Sequence, residues 1–470
     1  MRPDIQRNDF RLQISSVCLG GITLFLAGCA TPTPQEAFQP VQNNVAELSG
    51  HRVTWNQGTV DDQKVEAQVK RLLAQPLDAN AAAQVALLNN PDLQGTFEEI
   101  GISQADLVQA GLLQNPILAA SWRFPDQPPG LGNIEYSVAQ NFLSVILIPL
   151  KTKIAKANLE ATQDRISHEV IRLIEEVKEN FYAYQAEVQL EQRLNLIIQA
   201  DQSAVDLAKA QHDSGNMSDS AYLNQQTQLA APKLALADEQ KRKIKTREKL
   251  NRLMGLSGDQ IKWTAQPSLP ELPEHDPSLA NLETLAVSQR RDLLSVQKDV
   301  DSIGQMLALK TKIRYLPANI YVGIDTERES SGQRVTGPTL DTELPIFDQH
   351  QGEIGKLAAQ YRQAQKQLQS MIIRVRSEVR EARETLKINR EQVIYYKKTV
   401  VPLNMQTVNH SLLQYNAMQI NTYELFLAKQ RELETERDYI DAWRDYWISR
   451  SQLEEAVGGN LRPVPHASKP

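Results

Sequence analysis

The sequence predicts a mainly α-helical protein with a membrane β-barrel, built by duplicating one helix–strand–strand–long helix–helix unit. Three observations predict it. The chain repeats itself with a shift of about 200 residues: "ALLNNPDL" at 86–93 lines up with "AVSQRRDL" at 286–293, and "LLQNP" at 112–116 with "IRYLP" at 313–317. Pro149 and Pro345, and the turns near 215 and 418, keep nearly the same shift. Short stretches of period-2 alternation sit at matching places in both halves, and each precedes a helical pattern far longer than an ordinary globular helix.

The chain opens on Arg2, Arg7 and Arg11 followed by the apolar "LQISSVCLGGITLFLAG", the layout of a secretory signal over residues 1–28. Its end, Leu26-Ala27-Gly28-Cys29, resembles the lipobox of bacterial lipoproteins. That resemblance implies that Cys29 begins the mature chain and carries a diacylglycerol and an N-acyl chain, and Ala30 after it implies sorting to the outer membrane. Residues 29–45 are expected as a lipidated tether, with "TPTPQEAFQP" at 31–40 its flexible part. Cys18 lies in the removed segment, so the mature chain has no thiol for a disulfide, a redox pair or a thiolate metal site. No later window of about 18 residues is continuously apolar, so no helix is expected to span a membrane. The net charge of −6 is spread along the chain and offers nucleic acid no basic patch.

Two repeats fill the rest. The first, 46–265, holds a helix at 81–113, strands at 117–124 and 133–140, and a long hairpin over 151–255. A Pro-rich linker at 266–279 leads to the second, 280–460, with a helix at 280–311, strands at 319–326 and 339–346, and a hairpin over 350–457. Residues 461–470 form a C-terminal tail. "ILAASWRF" puts Leu118, Ala120, Trp122 and Phe124 on one face; "NIEYSVAQ" alternates Ile134, Tyr136 and Val138 with Glu135, Ser137 and Ala139. "NIYVGIDT" sets Ile320, Val322 and Ile324 against Asn319, Tyr321 and Asp325, and "TLDTELPI" sets Leu340 and Leu344 against Asp341 and Glu343. This is the apolar-out, polar-in alternation of a membrane barrel, although a half-buried sheet of a soluble protein shares it. The linking stretches "PDQPPGLG" and "RESSGQRVTG" read as solvent loops. Four strands cannot close a barrel, since about eight are needed. In lipid an open edge is not allowed, so several chains must share one barrel, and three chains supply twelve strands.

"LIPLKTKIAKANLEATQ" at 147–163 and "LPIFDQHQGEIGKLAAQYRQAQ" at 344–365 both read as a strand running into a very long helix without a loop. Residues 151–213 span roughly 95 Å as one helix. Ile372, Val375, Val379, Ala382, Leu386, Val393, Tyr396 and Val400 follow the 3–4 spacing of a coiled-coil seam, with Asn389 at its one vacant position. Ile174, Val177, Phe181, Tyr184 and Val188 sit at matching places in the first repeat. Pro232 and Pro402 are expected to kink or break their helices.

Over nearly all of the mature chain the sequence resembles the TolC-like outer membrane efflux family. "LPIFDQHQGEI" and "YNAMQINTYELFLAKQRELETERDYIDAWRDYWISRSQLEEAVGG" look most like its cobalt–zinc–cadmium and copper resistance branch. The resemblance implies a homotrimer with a 12-stranded barrel in the outer membrane, anchored by lipid, on an α-helical periplasmic tunnel. It further implies docking through the helix tips onto a periplasmic adaptor and an inner-membrane RND-type pump, with passive export of substrates, heavy-metal cations among them. The tips map to "HDSGNMSD" at 212–219 and "YNAMQINTYE" at 415–424, which makes Gly215, Asn216, Met217, Ala417, Met418 and Gln419 docking candidates. Met418 departs from the family's glycine at that place. Tyr415 and Glu424 are the gate candidates; Leu427 stands where a second acid could be, and Ala221 leaves Tyr415 no acid to tie to. Three copies of Glu424 in a ring favour cations electrostatically.

Chemistry finds no foothold. The seven histidines include no pair at i, i+4 and no HExxH, no Gly-rich phosphate loop follows a strand, and the serine pair in "TERESSGQ" has no partnered base. No enzyme, cofactor or metal site is expected. Trp443, Tyr446 and Trp447 are read as packing of the returning helix against its neighbour. The alternatives are a duct for multidrug export or type I secretion, a periplasmic adaptor lipoprotein, and a structural coiled-coil lipoprotein. An adaptor would carry one hairpin between β-rich halves, and a coiled-coil lipoprotein would need no alternating strands.

Overall fold

The structure, a computed structural model, describes residues 34–124, 126, 130–274, 279–317 and 319–461. The signal segment, Cys29, parts of the 125–132 loop and of the linker, and nearly all of the 461–470 tail lie outside the described residues.

The stretch expected as a tether is helical from its first described residue: α1, Pro34–Ser49, packs against the body. Phe38, Val41, Val45 and Leu48 recur at helical spacing, and the first three are at most 3% exposed, so burial of that stripe outweighs Pro34 and Pro40. Gln163 Nε2 donates to the Ala37 carbonyl at 2.7 Å and Asn460 N–H to the Leu48 carbonyl at 2.8 Å, which ties this helix to both repeats. Helix α2, Val60–Leu73, follows.

Each repeat then opens on two helices rather than the single helix expected. These are α3, Ala79–Asn89, and α4, Pro91–Gly111, in the first repeat, and α7, Leu282–Gln289, and α8, Arg291–Lys312, in the second. Asn90 and Arg290 break them with nearly the same extended backbone (φ −71, ψ 116; φ −62, ψ 118). Pro91 pushes Asn90 out of the helical region, and the Asn90 side chain caps α4 through the Asp92 and Leu93 N–H groups.

Strands β1 (Ile117–Arg123), β2 (Asn133–Asn141), β3 (Ile320–Arg328) and β4 (Arg334–Thr342) form one antiparallel sheet in that order. The second hairpin is tighter than expected. β3 runs on to Arg328 and β4 starts at Arg334, so half of "RESSGQRVTG" is strand, and Glu343, Leu344 and Ile346 fall beyond it. Glu329 N–H bonds to the Gln333 carbonyl (2.9 Å) and Gly332 N–H to the Glu329 carbonyl (2.9 Å), closing the turn in five residues, 329–333.

In the first repeat the strand does empty straight into a helix. Asn141 ends β2 and caps α5, Phe142–Asp213, which runs 72 residues through Pro149, about 108 Å at ~1.5 Å per residue. In the second repeat it does not. Residues 343–350 are irregular, His350 takes a left-handed φ of 57°, and only then does α9, Gln351–Tyr395, begin. Returning helices are α6, Asp219–Leu253, and α11, Thr422–Val457. The two prolines expected to interrupt helices differ. Pro402, which has no N–H for the Lys398 carbonyl, follows a π-turn over Tyr396–Val400 and starts α10, Val401–Asn416, whereas α6 continues unbroken through Pro232.

The seams sit where the spacing places them. Val375, Val379, Leu386 and Val393 are at most 1% exposed, as are Ile174, Val177 and Phe181. Asn389 fills its vacant position by donating to the Asp445 carbonyl at 3.1 Å. Both returning helices end on a left-handed glycine pressed against the break between the two opening helices. The Asn89 and Asn90 amides cap the Met254, Gly255 and Leu253 carbonyls; Gln289 and Arg290 cap those of Val457 and Ala456. Gly255 (φ +64) and Gly458 (φ +88) are those residues.

Candidate functional site: a two-faced sheet, two helix tips and the body between

The register turns the alternation into two chemically distinct surfaces. Leu118 pairs with Val138, Val138 with Ile324, and Val322 with Leu340, so these apolar side chains share one face with Trp122 and Tyr136. They are open: Leu118 is 72% exposed, Ile324 65% and Leu340 67%. Trp122 and Tyr136 meet edge to face with ring centroids 6.1 Å apart. The opposite face carries Ser121, Arg123, Glu135, Ser137, Asp325, Glu327 and Asp341. There Arg123 pairs with Glu135 at 3.1 Å, Ser121 donates to the same carboxylate, and Asn133 bonds Glu327. Gly323 sits on this face, and a Cβ there would lie 2.4 Å from the Val138 carbonyl and 2.9 Å from Ala139 Cβ and Thr339 Oγ1. The polar face is therefore the crowded one, as the inside of a curved sheet must be. Among the described residues β1 pairs only with β2, and β4 only with β3, so both outer edges of the sheet are open there.

At the far end of the helices the two tips share one backbone. Gly215 has φ +77° and Met418 φ +59°. Gly215 N–H reaches the His212 carbonyl (2.8 Å) and Asn216 N–H the Gln211 carbonyl (2.8 Å); Met418 and Gln419 repeat this with Tyr415 and Gln414 at 2.9 Å each. Ser218 Oγ caps the Ala221 N–H and Asn421 Oδ1 the Glu424 N–H. The departure at Met418 thus leaves the turn geometry intact. Gly215, Asn216, Ala417, Met418 and Gln419 are exposed and Met217 is half-buried, with Met418 at 94%. Tyr415 and Glu424 are exposed at the same tip, and among the described residues neither side chain has a hydrogen bond to the other. The structure brings them to one end of the molecule without joining them. Glu424 lies in the first turn of α11, where a carboxylate suits the helix dipole. In the first tip His212 Nε2 lies 2.7 Å from Asp219 and its ring stacks on Tyr222; that hydrogen bond raises the imidazole above its ordinary value.

The body holds a feature the spacing does not announce. On α5, Glu175 and Lys178 are buried, and Lys178 Nζ lies 2.9 Å from Glu175 and 3.4 Å from Glu454 of α11. Burial pushes the Glu175 carboxyl up to about 8 against the pull of Lys178. The aromatic cluster packs as expected, Tyr446 fully buried and Trp447 against Tyr182 at 5.3 Å. It also has an unforeseen task, since both the Trp443 and the Trp447 indoles donate to the Pro270 carbonyl of the linker at 3.0 Å. Among the described residues no helix is long and apolar enough to cross a membrane, and no group of three or more His, Cys, Asp or Glu is placed to hold a metal.

No protein-family model matches the sequence, and no curated protein matches it. Solved structures do match. A membrane protein from Pseudomonas aeruginosa superposes with a TM-score of 0.70 at 16% identity, over 86% of this chain and 96% of that one. The outer membrane protein VceC from Vibrio cholerae gives 0.69 at 14% identity, over 85% and 98%. CusC, described for its folding and transmembrane channel formation, gives 0.68 at 16% identity, over 84% and 92%. At such identities the likeness is one of fold. The chain has the mainly helical, small-sheet fold of these membrane proteins.

Proposed function

We propose that this chain is one of three identical subunits of an outer-membrane exit duct, passing substrates outward without chemistry of its own. The observation that carries this reading is the sheet: four strands with an exposed apolar face, a charged opposite face and two open edges. In lipid such edges must be paired, and three copies joined β1 to β4 close twelve strands with the apolar face outward. The helices, the longest of them α5 at about 108 Å by ~1.5 Å per residue, then continue the bore into the periplasm. The tip residues, Gly215 to Met217 and Ala417 to Gln419, are the natural seat of a periplasmic adaptor that joins the duct to an inner-membrane RND-type pump. Lipid on Cys29 anchors each subunit to the outer membrane. Membership of the TolC-like family, and heavy-metal cations as cargo, rest on the resemblance of residues 344–354 and 415–459 to the copper and cobalt–zinc–cadmium branch.

The test is the mass of the detergent-extracted mature protein, native and then denatured. A native trimer whose denatured chains begin at an acylated Cys29 is expected. A lipidated monomer would leave four strands with open edges and overturn the duct.

A further inference from the structure

Between α5, α6 and α11, on the tip side of the hairpins, lies a cavity of about 410 Å³. Leu190, Leu194, Ile197, Ala235, Phe426 and Leu433 give it apolar walls. Glu239 of α6 also lines it, with a side chain only 2% exposed. One of its carboxylate oxygens accepts from the Arg242 guanidinium; the other, Oε1, is buried with no hydrogen-bond partner among the described residues. The side-chain oxygen of Gln228, on the same helix and the same cavity, is in the same condition. Pro232, which also lines the cavity, has no N–H to offer the Gln228 carbonyl. Half-buried Asp201 adds a second carboxyl to the wall.

The basic side chains around the opening already have acids: Arg242 has Glu239, Lys429 has Glu432, Arg193 has Glu436 at 3.1 Å and Arg437 has Asp441 at 3.8 Å. What remains is a set of acceptors lacking donors, set in an apolar wall. A buried acceptor without a partner costs free energy that a donor from outside can recover. Arg242 engages only the other oxygen of Glu239, and a charged N–H donor makes the stronger hydrogen bond to the oxygen left over.

We propose that this cavity binds a small hydrophobic ammonium compound, whose N–H donates to Glu239 Oε1 while its apolar body packs against Leu190, Leu194, Ile197 and Leu433. A quaternary ammonium has no N–H for Oε1, and a neutral alcohol offers it only an uncharged, weaker hydrogen bond. Primary to tertiary amines on an aromatic or branched aliphatic body are the matching class.

The test is a fluorescence titration of the full-length protein in nanodiscs, with empty nanodiscs subtracted, using 1-naphthylmethylamine and its neutral counterpart 1-naphthylmethanol. The amine should bind about tenfold or more tightly than the alcohol, the range of one charge-assisted hydrogen bond. Glu239→Gln should erase that preference and leave the alcohol's affinity in place. Ala235→Trp, which fills the cavity, should weaken both, and Leu433→Phe, a smaller fill, should do so in part should the first variant not fold. Equal affinity for the two probes, a preference that survives Glu239→Gln, or binding indifferent to both filling variants would overturn the site.

Discussion

The two long outgoing helices descend from one repeat unit, yet α5 is the centre of the chain and α9 its edge. α5 buries residues on several sides, packed by α1, α3, α4, α8, α6 and α11, whereas α9 buries only Ala364, Val375, Val379, Leu386 and Val393 along one stripe. The difference is plain at matched positions. Where α5 has buried Glu175 and Lys178, α9 has Ile373, 68% exposed, and exposed Arg376. A duplicated hairpin needs only its seam to fold as a hairpin. The remaining faces are set by what lies against them, and on α9 the exposed Ile373, Ile388 and Tyr395 are what a neighbouring copy would cover in the proposed trimer.

The sharpest way to break this contrast is to remove the charge that only α5 buries. Lys178→Met leaves Glu175 and Glu454 facing each other and should cost about 3–5 kcal/mol, whereas Arg376→Met on exposed α9 should cost less than about 0.5 kcal/mol, read as thermal unfolding of the solubilised protein. Next comes the glycine pair. A Cβ at Gly255 would lie 2.4 Å from the Asn89 carbonyl oxygen and 2.9 Å from Asn90 Cα, both backbone, while at Gly458 it meets first the Arg290 side chain at 2.9 Å. Gly255→Ala should therefore lose about 3 kcal/mol and Gly458→Ala about half of that, the left-handed φ penalising both.

The same buried carboxyl makes the contrast depend on pH. Glu175 is raised to about 8 in the folded chain, so the folded state holds the proton more tightly than the unfolded one. Stability from this source is fully present below about pH 4 and is lost as pH rises toward the folded value. Glu175→Gln should flatten the decline of the unfolding temperature between about pH 5 and 8; an unchanged slope would mean the proton is not held there. The smallest effect is at the tips. Met418→Gly should stabilise by up to about 1 kcal/mol, because Met418 occupies a left-handed conformation that glycine adopts freely, while Gly215→Met should destabilise by a similar amount.

Much of this architecture was legible in the residues because its cause is local. The seam positions from Val375 to Val393 and the face holding Leu118, Val138, Ile324 and Leu340 follow from periodicity alone. The boundaries that went astray have other causes. β4 was displaced because Leu344 and Ile346 prolong its alternation, while Gly337 and Pro338, which read as loop, lie within the strand. The break at Asn90 has a written signal in Pro91, but its counterpart at Arg290 has none, being held by Asp292 two residues on and by Glu378 and Ala456 from elsewhere in the chain. α1 was hidden by its prolines. Nothing in the spacing of Glu175 and Lys178 tells that α11 will cover them. At the tips, the sequence located both turns, but the shared geometry of Gly215 and Met418 comes from caps and carbonyls that residue type alone does not reveal.

The shared barrel is tested most directly by joining its edges. Within one chain β1 and β4 are three strand spacings apart, about 14 Å, too far for a disulfide. Ala119→Cys on β1 should therefore be combined in turn with Val335→Cys, Gly337→Cys, Thr339→Cys and Asp341→Cys on β4, oxidised in intact cells and resolved on denaturing gels. A barrel closed by β1 of one chain on β4 of the next requires at least one pair to yield covalent dimers and trimers and nothing larger. Chains that stay monomeric in all four pairs would contradict it.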